Sequence, residues 1–192
     1  MPLLLKLCFN HLADMRSRYK VCELQAAHFV TSTIVEWLPV FTTSECCDIL
    51  VDSPAFCRAN KGLLIHAWVI MDNHFHAVVS EPELSATLRD FKKFTARQLL
   101  KQIRAERRAW LLNQLEFYRL PTKIHSDHQV WQEGSHPQAL LTDEMLEQKI
   151  GYIHQNPVAR GWVVNPEDWR YSSAHEWRTD APKPLLACDP WR

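Results

Sequence analysis

Two short stretches of this 192-residue chain carry side chains whose types and spacing could do chemistry. The first is Ile70-Met71-Asp72-Asn73-His74-Phe75-His76. Side chains alternate between faces along a strand, so His74 and His76 point one way and Phe75 the other. Two neutral imidazoles on a rigid platform can hold a metal ion. The plain alternative is one half-buried and one surface histidine, in a chain that has ten. The second stretch is Tyr152-Ile153-His154-Gln155-Asn156-Pro157-Val158. On a helix, Tyr152 and Asn156 share a face, so a site that one reaches the other reaches too. A tyrosine, with an ordinary pKa of about 10, is a poor nucleophile at neutral pH unless its target is activated. The plain alternative for Tyr152 is a half-buried core tyrosine with its hydroxyl paired.

The elements that must position these residues are legible around them. Residues 63 to 80 read as a hairpin in which two runs rich in Val, Ile and Trp flank Asp72-Asn73, residue types that tolerate the positive φ of a tight turn. Before it, residues 28 to 35 alternate and are β-branched, predicting a first strand. Thr43 or Ser44 can cap a helix that runs to about Asn60, where Gly62 stops it, and Pro54 is expected to kink or split that helix. Pro82 and Ser85 open a second helix that buries Leu84, Leu88, Phe91, Thr95, Leu99 and Ile103. The helical pattern continues through Trp110 to Phe117, a loop follows, and Val130-Trp131-Gln132 reads as a short fourth strand. Thr142 or Asp143 caps the last helix, with Leu146, Ile150 and Ile153 as its apolar seam and Pro157 as its end. Gly151 costs that helix about 1 kcal/mol relative to Ala, a cost acceptable if a DNA backbone approaches there or the helix must move. The order strand, helix, two strands, helix, strand is the ferredoxin-like plan, an α+β antiparallel sheet with helices packed on one face.

Composition narrows the function classes. The length suits one domain able to bury a core, and a hydrophobic fraction of 46% with eight Trp marks a packed chain. Six Cys, at 8, 22, 46, 47, 57 and 188, form no C-x-x-C pair and are expected to be reduced and buried. The run Leu3-Leu4-Leu5 is too short for a signal peptide or a membrane span, so a cytoplasmic protein with no membrane partner is expected. Four Gly leave no room for a Gly-rich phosphate loop, so no nucleotide cofactor is expected. The formal net charge is zero, yet Arg89, Lys93, Arg97 and Lys101 recur every four residues and make one basic stripe on a helix. That stripe is either a phosphate-contacting surface or a solvated helix face. Arg170, between Trp169 and Tyr171, belongs to a set that could stack on and contact an unpaired strand, or to packing of the two rings on the domain.

With the motifs at 70–76 and 152–158, the chain resembles the REP-associated tyrosine transposases, a branch of the single-tyrosine His-x-His (HUH) transposases, from about Tyr19 to about Trp177. The resemblance implies a ferredoxin-like fold with the catalytic tyrosine on a C-terminal helix. It implies a metal-dependent transposase and single-strand endonuclease that cleaves and rejoins single-stranded or hairpin DNA of repeated palindromic elements through a 5′-phosphotyrosine. Tyr152 is then the nucleophile. His74 and His76 are metal ligands, joined by an amide oxygen from the tyrosine helix, for which Asn156 is chosen ahead of Gln155 and His154. Mg²⁺ or Mn²⁺ suits turnover, although Zn²⁺ and Ni²⁺ bind imidazole more tightly. The first fourteen residues match nothing in that family. The expectation is an extension over 1–14 with Met15 as a start, a catalytic domain over 15–177 and a poorly ordered Pro-containing tail over 178–192. The branch implies a monomer, where the wider insertion-sequence group exchanges the tyrosine helix within dimers. Two other classes share these residues: a catalytically silent, domesticated DNA-binding protein of the same fold, and an unrelated His-x-His hydrolase that activates water.

Overall fold

Alternation of β-branched and polar residues from Ala27 to Thr33 makes β1, whose even-numbered side chains enter one core and whose odd-numbered ones face the other way. The computed structural model describes residues 26–123, 126–134, 136–177 and 183–191. The expected extension 1–14, the Met15 start, Cys8 and Cys22 lie outside the described residues. A 3-10 turn at Val35–Trp37 leads to α1 (Ser44–Lys61), then β2 (Leu64–Ile70), β3 (His74–Ser80), α2 (Leu84–Ala105), α3 (Ala109–Phe117), β4 (Gln138–Leu140) and α4 (Asp143–Ala159). The four strands pair antiparallel in the order β2-β3-β1-β4. The expected α+β fold is therefore present.

The pleat divides the helices between the two faces. Phe75, Ala77 and Val79 of β3 join Val30 and Ile65 in a core with Leu50 of α1 and Leu84, Phe91 and Leu99 of α2. Val78 of β3 instead joins Ala67, Val69 and Met71 against Leu146, Ile150 and Ile153 of α4. The two helices of the ferredoxin-like plan thus cover one face, and α4 covers the other. Since His74 and His76 share the parity of Val78, they face α4. Among the described residues no helix is long and apolar enough to cross a membrane. Cys46, Cys47 and Cys57 are free and buried, and burial pushes the Cys47 thiol up to about 12.

Four details depart from the sequence expectations, each for a physical reason. Pro54 neither splits nor ends α1, which runs unbroken for 18 residues. An interior proline costs about 3 kcal/mol, whereas each fully buried Val or Leu side chain stabilises by about 1.5–3 kcal/mol, and α1 buries Leu50 and Val51 with three cysteines. Pro157 likewise lies inside α4, which ends two residues later at Ala159; the last turn is closed by Trp162 N–H donating to the Pro157 carbonyl at 3.0 Å and by Gly161 at φ 71°. The Asp72-Asn73 turn takes no positive φ. Its carbonyls instead accept from Phe41 N–H (2.8 Å) and Ile34 N–H (2.9 Å), so tertiary bonds set its shape.

The fourth difference is at the sheet edges. The strand read at Val130–Gln132 is only a bridge from Trp131 to Ile34, flanked by Val35 N–H to Val130 and Gln132 N–H to Thr33, and the ladder resumes as β4 beyond Pro137. Gly134, at φ 81°, and Pro137, which has no N–H to donate, interrupt one edge strand into two pieces. On the opposite edge, the segment expected to be a loose tail lies against β2. Ile65 N–H donates to Asp189 Oδ2 (2.8 Å), Asp189 N–H to the Ile65 carbonyl (2.7 Å), and Trp68 Nε1 to the Leu186 carbonyl (2.8 Å). Ile70 N–H donates to the Tyr171 carbonyl at 2.8 Å on the same edge. An edge strand must satisfy its outward N–H and C=O groups, and the last residues of the chain do so here.

Candidate active site

Pairing of β1 with β3 sets Thr31 opposite His76 and Thr33 opposite His74. Thr31 Oγ1 lies 2.8 Å from His76 Nδ1. The tautomer of His74 follows from its neighbour. Asn73 Nδ2 donates to the Trp37 carbonyl at 3.2 Å, an atom that can only accept, so Asn73 Oδ1 is the atom 2.6 Å from His74 Nδ1. His74 Nδ1 must therefore carry the proton, and Nε2 carries the lone pair. In metal sites generally, a ligating imidazole is held in one tautomer by such a partner on its other nitrogen. Both histidines are buried, with ring centroids 4.6 Å apart. Burial lowers His74 below the ordinary imidazole value, Asp72 and a hydrogen bond with Asn156 opposing it and Arg160 adding to it. Burial, with the charges of His74 and Lys149, pushes His76 down to about 3. Both rings are neutral at neutral pH.

The tyrosine helix comes over this pair because its N-terminus and seam are both fixed. Thr142 Oγ1 accepts from Met145 N–H at 3.2 Å, closing the first turn, and Ile150 and Ile153 press into the core beneath. One face away, the Tyr152 ring meets His76 with centroids 5.5 Å apart and Phe29 at 5.9 Å, and remains 50% exposed. Asn156 Nδ2 donates to the Tyr152 carbonyl at 2.7 Å, which leaves Oδ1 as the amide atom available to the site. Asn156 stands close enough to His74 to favour its charged form through a hydrogen bond, so the amide and that imidazole are neighbours in the site. Among the described residues no group of three or more His, Cys, Asp or Glu is placed to hold a metal; the set here is two imidazoles and an amide. Hard divalent ions accept such a set when water or phosphate oxygens complete it.

The other sequence candidates separate. His154 points away from Tyr152, buried with Nε2 2.8 Å from Ser173 Oγ, and Gln155 is exposed. A Cβ on Gly151 would meet nothing within 4 Å, so no neighbour in the described chain requires glycine there. Arg89, Lys93 and Arg97 line a groove of about 590 Å³ with Lys92 and Lys123, between α2 and residues 126–134; Lys101 is exposed beyond it. That groove belongs to the α2 layer, on the opposite side of the sheet from Tyr152. Trp169 is tied down, donating from Nε1 to the Ile70 carbonyl at 3.0 Å and packing on Trp162, and Tyr171 packs on the α1 core. Arg170 is exposed, with Asp48 and the Tyr171 side chain as its neighbours.

Sequence reasoning missed the cations and rings around the pair. Lys149 Nζ stands 4.7 Å from the Phe29 ring centroid and 5.8 Å from that of Tyr152. Its position one turn before Tyr152 was a usable signal. Phe29 stacks on His76 at 5.2 Å and Trp37 meets His74 at 5.7 Å; both contacts depend on strand register and on a loop, which no local pattern announces.

The depressed histidines have a consequence for stability. His154 is pushed to about 4 by burial and His76 to about 3, while unfolded histidines sit near 6.5. Between those values the unfolded chain binds more protons, so stability is full above about pH 6.5 and is lost as pH falls toward the folded values. Each histidine contributes up to about 1.4 kcal/mol per pH unit in that window. Urea midpoints should fall steadily from about pH 7 to about pH 4.5; a constant midpoint would show that both rings are protonated inside the fold.

Fold and site define a class: a ferredoxin-like α+β protein with a His-x-His pair on an interior strand, beneath a helix that presents a tyrosine. No family model matches the chain. Over 123 residues it is 28% identical to the REP-associated tyrosine transposase of Escherichia coli (strain K12), covering 62% of this chain and 58% of that protein. A Haemophilus influenzae protein is 26% identical over 106 residues, 55% of this chain and 56% of its own length. The matches thus span little more than half of these curated relatives. A solved structure of a REP-associated tyrosine transposase bound to a REP hairpin shares the fold, with a TM-score of 0.60 over 94% of both chains at 20% identity. The resemblance drawn from the two motifs is borne out: the chain is similar to the REP-associated tyrosine transposases in sequence and in fold.

Proposed function

We infer that this protein is a DNA-binding tyrosine transposase that cuts and rejoins single-stranded or hairpin DNA, with Tyr152 as nucleophile. The observation that carries the reading is the convergence, on one side of the sheet, of Tyr152, Asn156 and two neutral imidazoles from separate elements. The hairpin held by the solved relative indicates the substrate class. His74, His76 and Asn156 would hold a divalent ion, Mg²⁺ or Mn²⁺, which supplies a Lewis acid toward the phosphate oxygens.

The chain's own residues do the rest. The Tyr152 hydroxyl oxygen attacks phosphorus, the phosphorus to 3′-oxygen bond breaks, and a 5′-phosphotyrosine and a free 3′-hydroxyl result. One phosphodiester replaces another, so rejoining needs no nucleotide. Lys149, held over Phe29, is placed to offset phosphate charge beside Tyr152. Half exposure of Tyr152 leaves its hydroxyl open to a strand arriving from solvent. A single chain brings all these groups together, which supports a monomer as the working unit.

Denaturing electrophoresis of the protein with labelled hairpin DNA and Mn²⁺ tests the reading. A labelled band at the mass of protein plus DNA, absent when the reaction is run in chelator, is expected. Cutting without an adduct would assign the site to a water-activating hydrolase, and binding without cutting to a silent DNA-binding protein.

Arg89, Lys93 and Arg97, with Lys101 and Arg170 as outlying members, are proposed phosphate contacts. Replacing two of the groove residues by Ala should flatten the dependence of log K on log salt by about 0.7 for each lost contact to a single strand. An unchanged slope would make the stripe a solvated helix face.

A further inference from the structure

Trp37 stands beside the imidazole pair, and nothing in the reading above uses it. Its ring meets His74 at a centroid separation of 5.7 Å and an interplanar angle of 77°, and 54% of the residue is exposed. An indole is among the most favourable side chains to bury, so one left half in water at the rim of a site has a face free for a ligand. Its backbone is unusual too. Glu36 and Trp37 have φ of 50° and 56°, and among the described residues only Arg107 is another non-glycine residue with positive φ. Such conformations persist only where the surroundings impose them, and they cluster at ligand clamps.

The surroundings here are the site itself. Trp37 N–H donates to the Ile34 carbonyl at 3.0 Å, and its own carbonyl accepts from Asn73 Nδ2 at 3.2 Å. The same Asn73 amide takes the His74 Nδ1 proton through Oδ1 at 2.6 Å. One side chain therefore locks both the ligand-ready tautomer of His74 and the loop that projects the indole. A group bound at His74 and a flat group lying on Trp37 are neighbours by construction.

We propose that Trp37 is the stacking platform for an unpaired base of single-stranded DNA adjacent to the phosphate that is cut beside His74 and His76. The inference rests on the function proposed above. Every base offers a π-face, so the platform recognises an unstacked nucleotide and not a particular base, while a paired base in a duplex is unavailable to it. Trp37 thus selects for a single-stranded flank at the cutting position.

The test is fluorescence anisotropy, in chelator so that nothing is cut, with a labelled DNA hairpin carrying single-stranded flanks, the same hairpin without flanks, and flanks carrying one abasic nucleotide at each position in turn. With the parent protein, an abasic nucleotide at one flank position should weaken binding about tenfold, the range expected for loss of one stacked base. Trp37→Ala should weaken binding of the intact flanked hairpin by a similar factor and become insensitive to the abasic nucleotide at that position. Trp37→Phe should keep most of the affinity. Binding of the flankless hairpin and Mn²⁺ affinity should not change in either variant. If Trp37→Ala stays as sensitive to the abasic nucleotide as the parent, or loses affinity equally for the flankless hairpin, the platform is refuted while the transposase reading stands. If the parent binds neither hairpin, both fall together.

Discussion

Tyr152→Phe is expected to abolish the covalent protein–DNA adduct and to lower cleavage by at least about 10³-fold, the scale seen when an attacking side chain is deleted. The substitution removes one oxygen from a residue that is half exposed and packs through its ring on Phe29 and His76. The ring contacts survive in phenylalanine, so stability, Mn²⁺ affinity and hairpin affinity stay near those of the parent. That separation makes the variant diagnostic. A general loss of fold would reduce all five quantities at once, whereas loss of a nucleophile would remove only chemistry. Should Tyr152→Phe still cut at a comparable rate, another nucleophile is at work and the tyrosine mechanism is wrong for this protein.

The second large effect is at His76. His76→Ala should lower divalent-ion affinity by more than about 100-fold, beyond the 10- to 100-fold typical of losing a supporting residue outside the ligand set, and cleavage should fall with it. The ring it removes is buried, stacked on Phe29 and bonded to Thr31 Oγ1. Some stability is lost as well, on the order of 1–3 kcal/mol for a partly buried hydroxyl left without its partner and a small cavity. Thr31→Val separates the two effects. It leaves the imidazole in place and removes only its partner at Nδ1, so metal affinity should fall within the 10- to 100-fold range, and cleavage should recover in part at higher ion concentration as the site fills. Titration with Mn²⁺ followed by calorimetry reads both variants directly. Equal affinity in His76→Ala and the parent would remove His76 from the ligand set.

Two readings that depended on local pattern alone succeeded. Leu84, Leu88, Phe91, Thr95, Leu99 and Ile103 were expected on one side of α2 and all are buried there, because a 3.6-residue period projects a fixed stripe wherever the helix lies. Thr142 caps α4 and Gly62 ends α1 at φ 74°, since caps answer to the unsatisfied groups of their own helix. The readings that failed involve prolines, edges and the Asp72-Asn73 turn. Pro54 and Pro157 lie inside helices because the burial around them outweighs a missing hydrogen bond, an energy that a proline's own neighbours do not announce. The last residues pair with β2 because an edge more than a hundred positions earlier needs partners.

By itself, the sequence determined that His74 and His76 share a face, that Tyr152 and Asn156 share another, and that the chain adopts an antiparallel α+β fold. Each follows from the period of a single element or from the order of elements. Tertiary structure alone decided that these two faces meet. It takes the pleat of β3, the apolar seam of α4 and the covering of the sheet by α1 and α2 on the opposite side to turn Tyr152 toward His76. It also decided the electrical state of the pair. Asn73 can hold the His74 tautomer only because its other amide atom is engaged by the Trp37 carbonyl, and Thr31 reaches His76 only through the β1–β3 register. Periodicity fixes directions within an element, but distances between elements are set by the packing of the whole core.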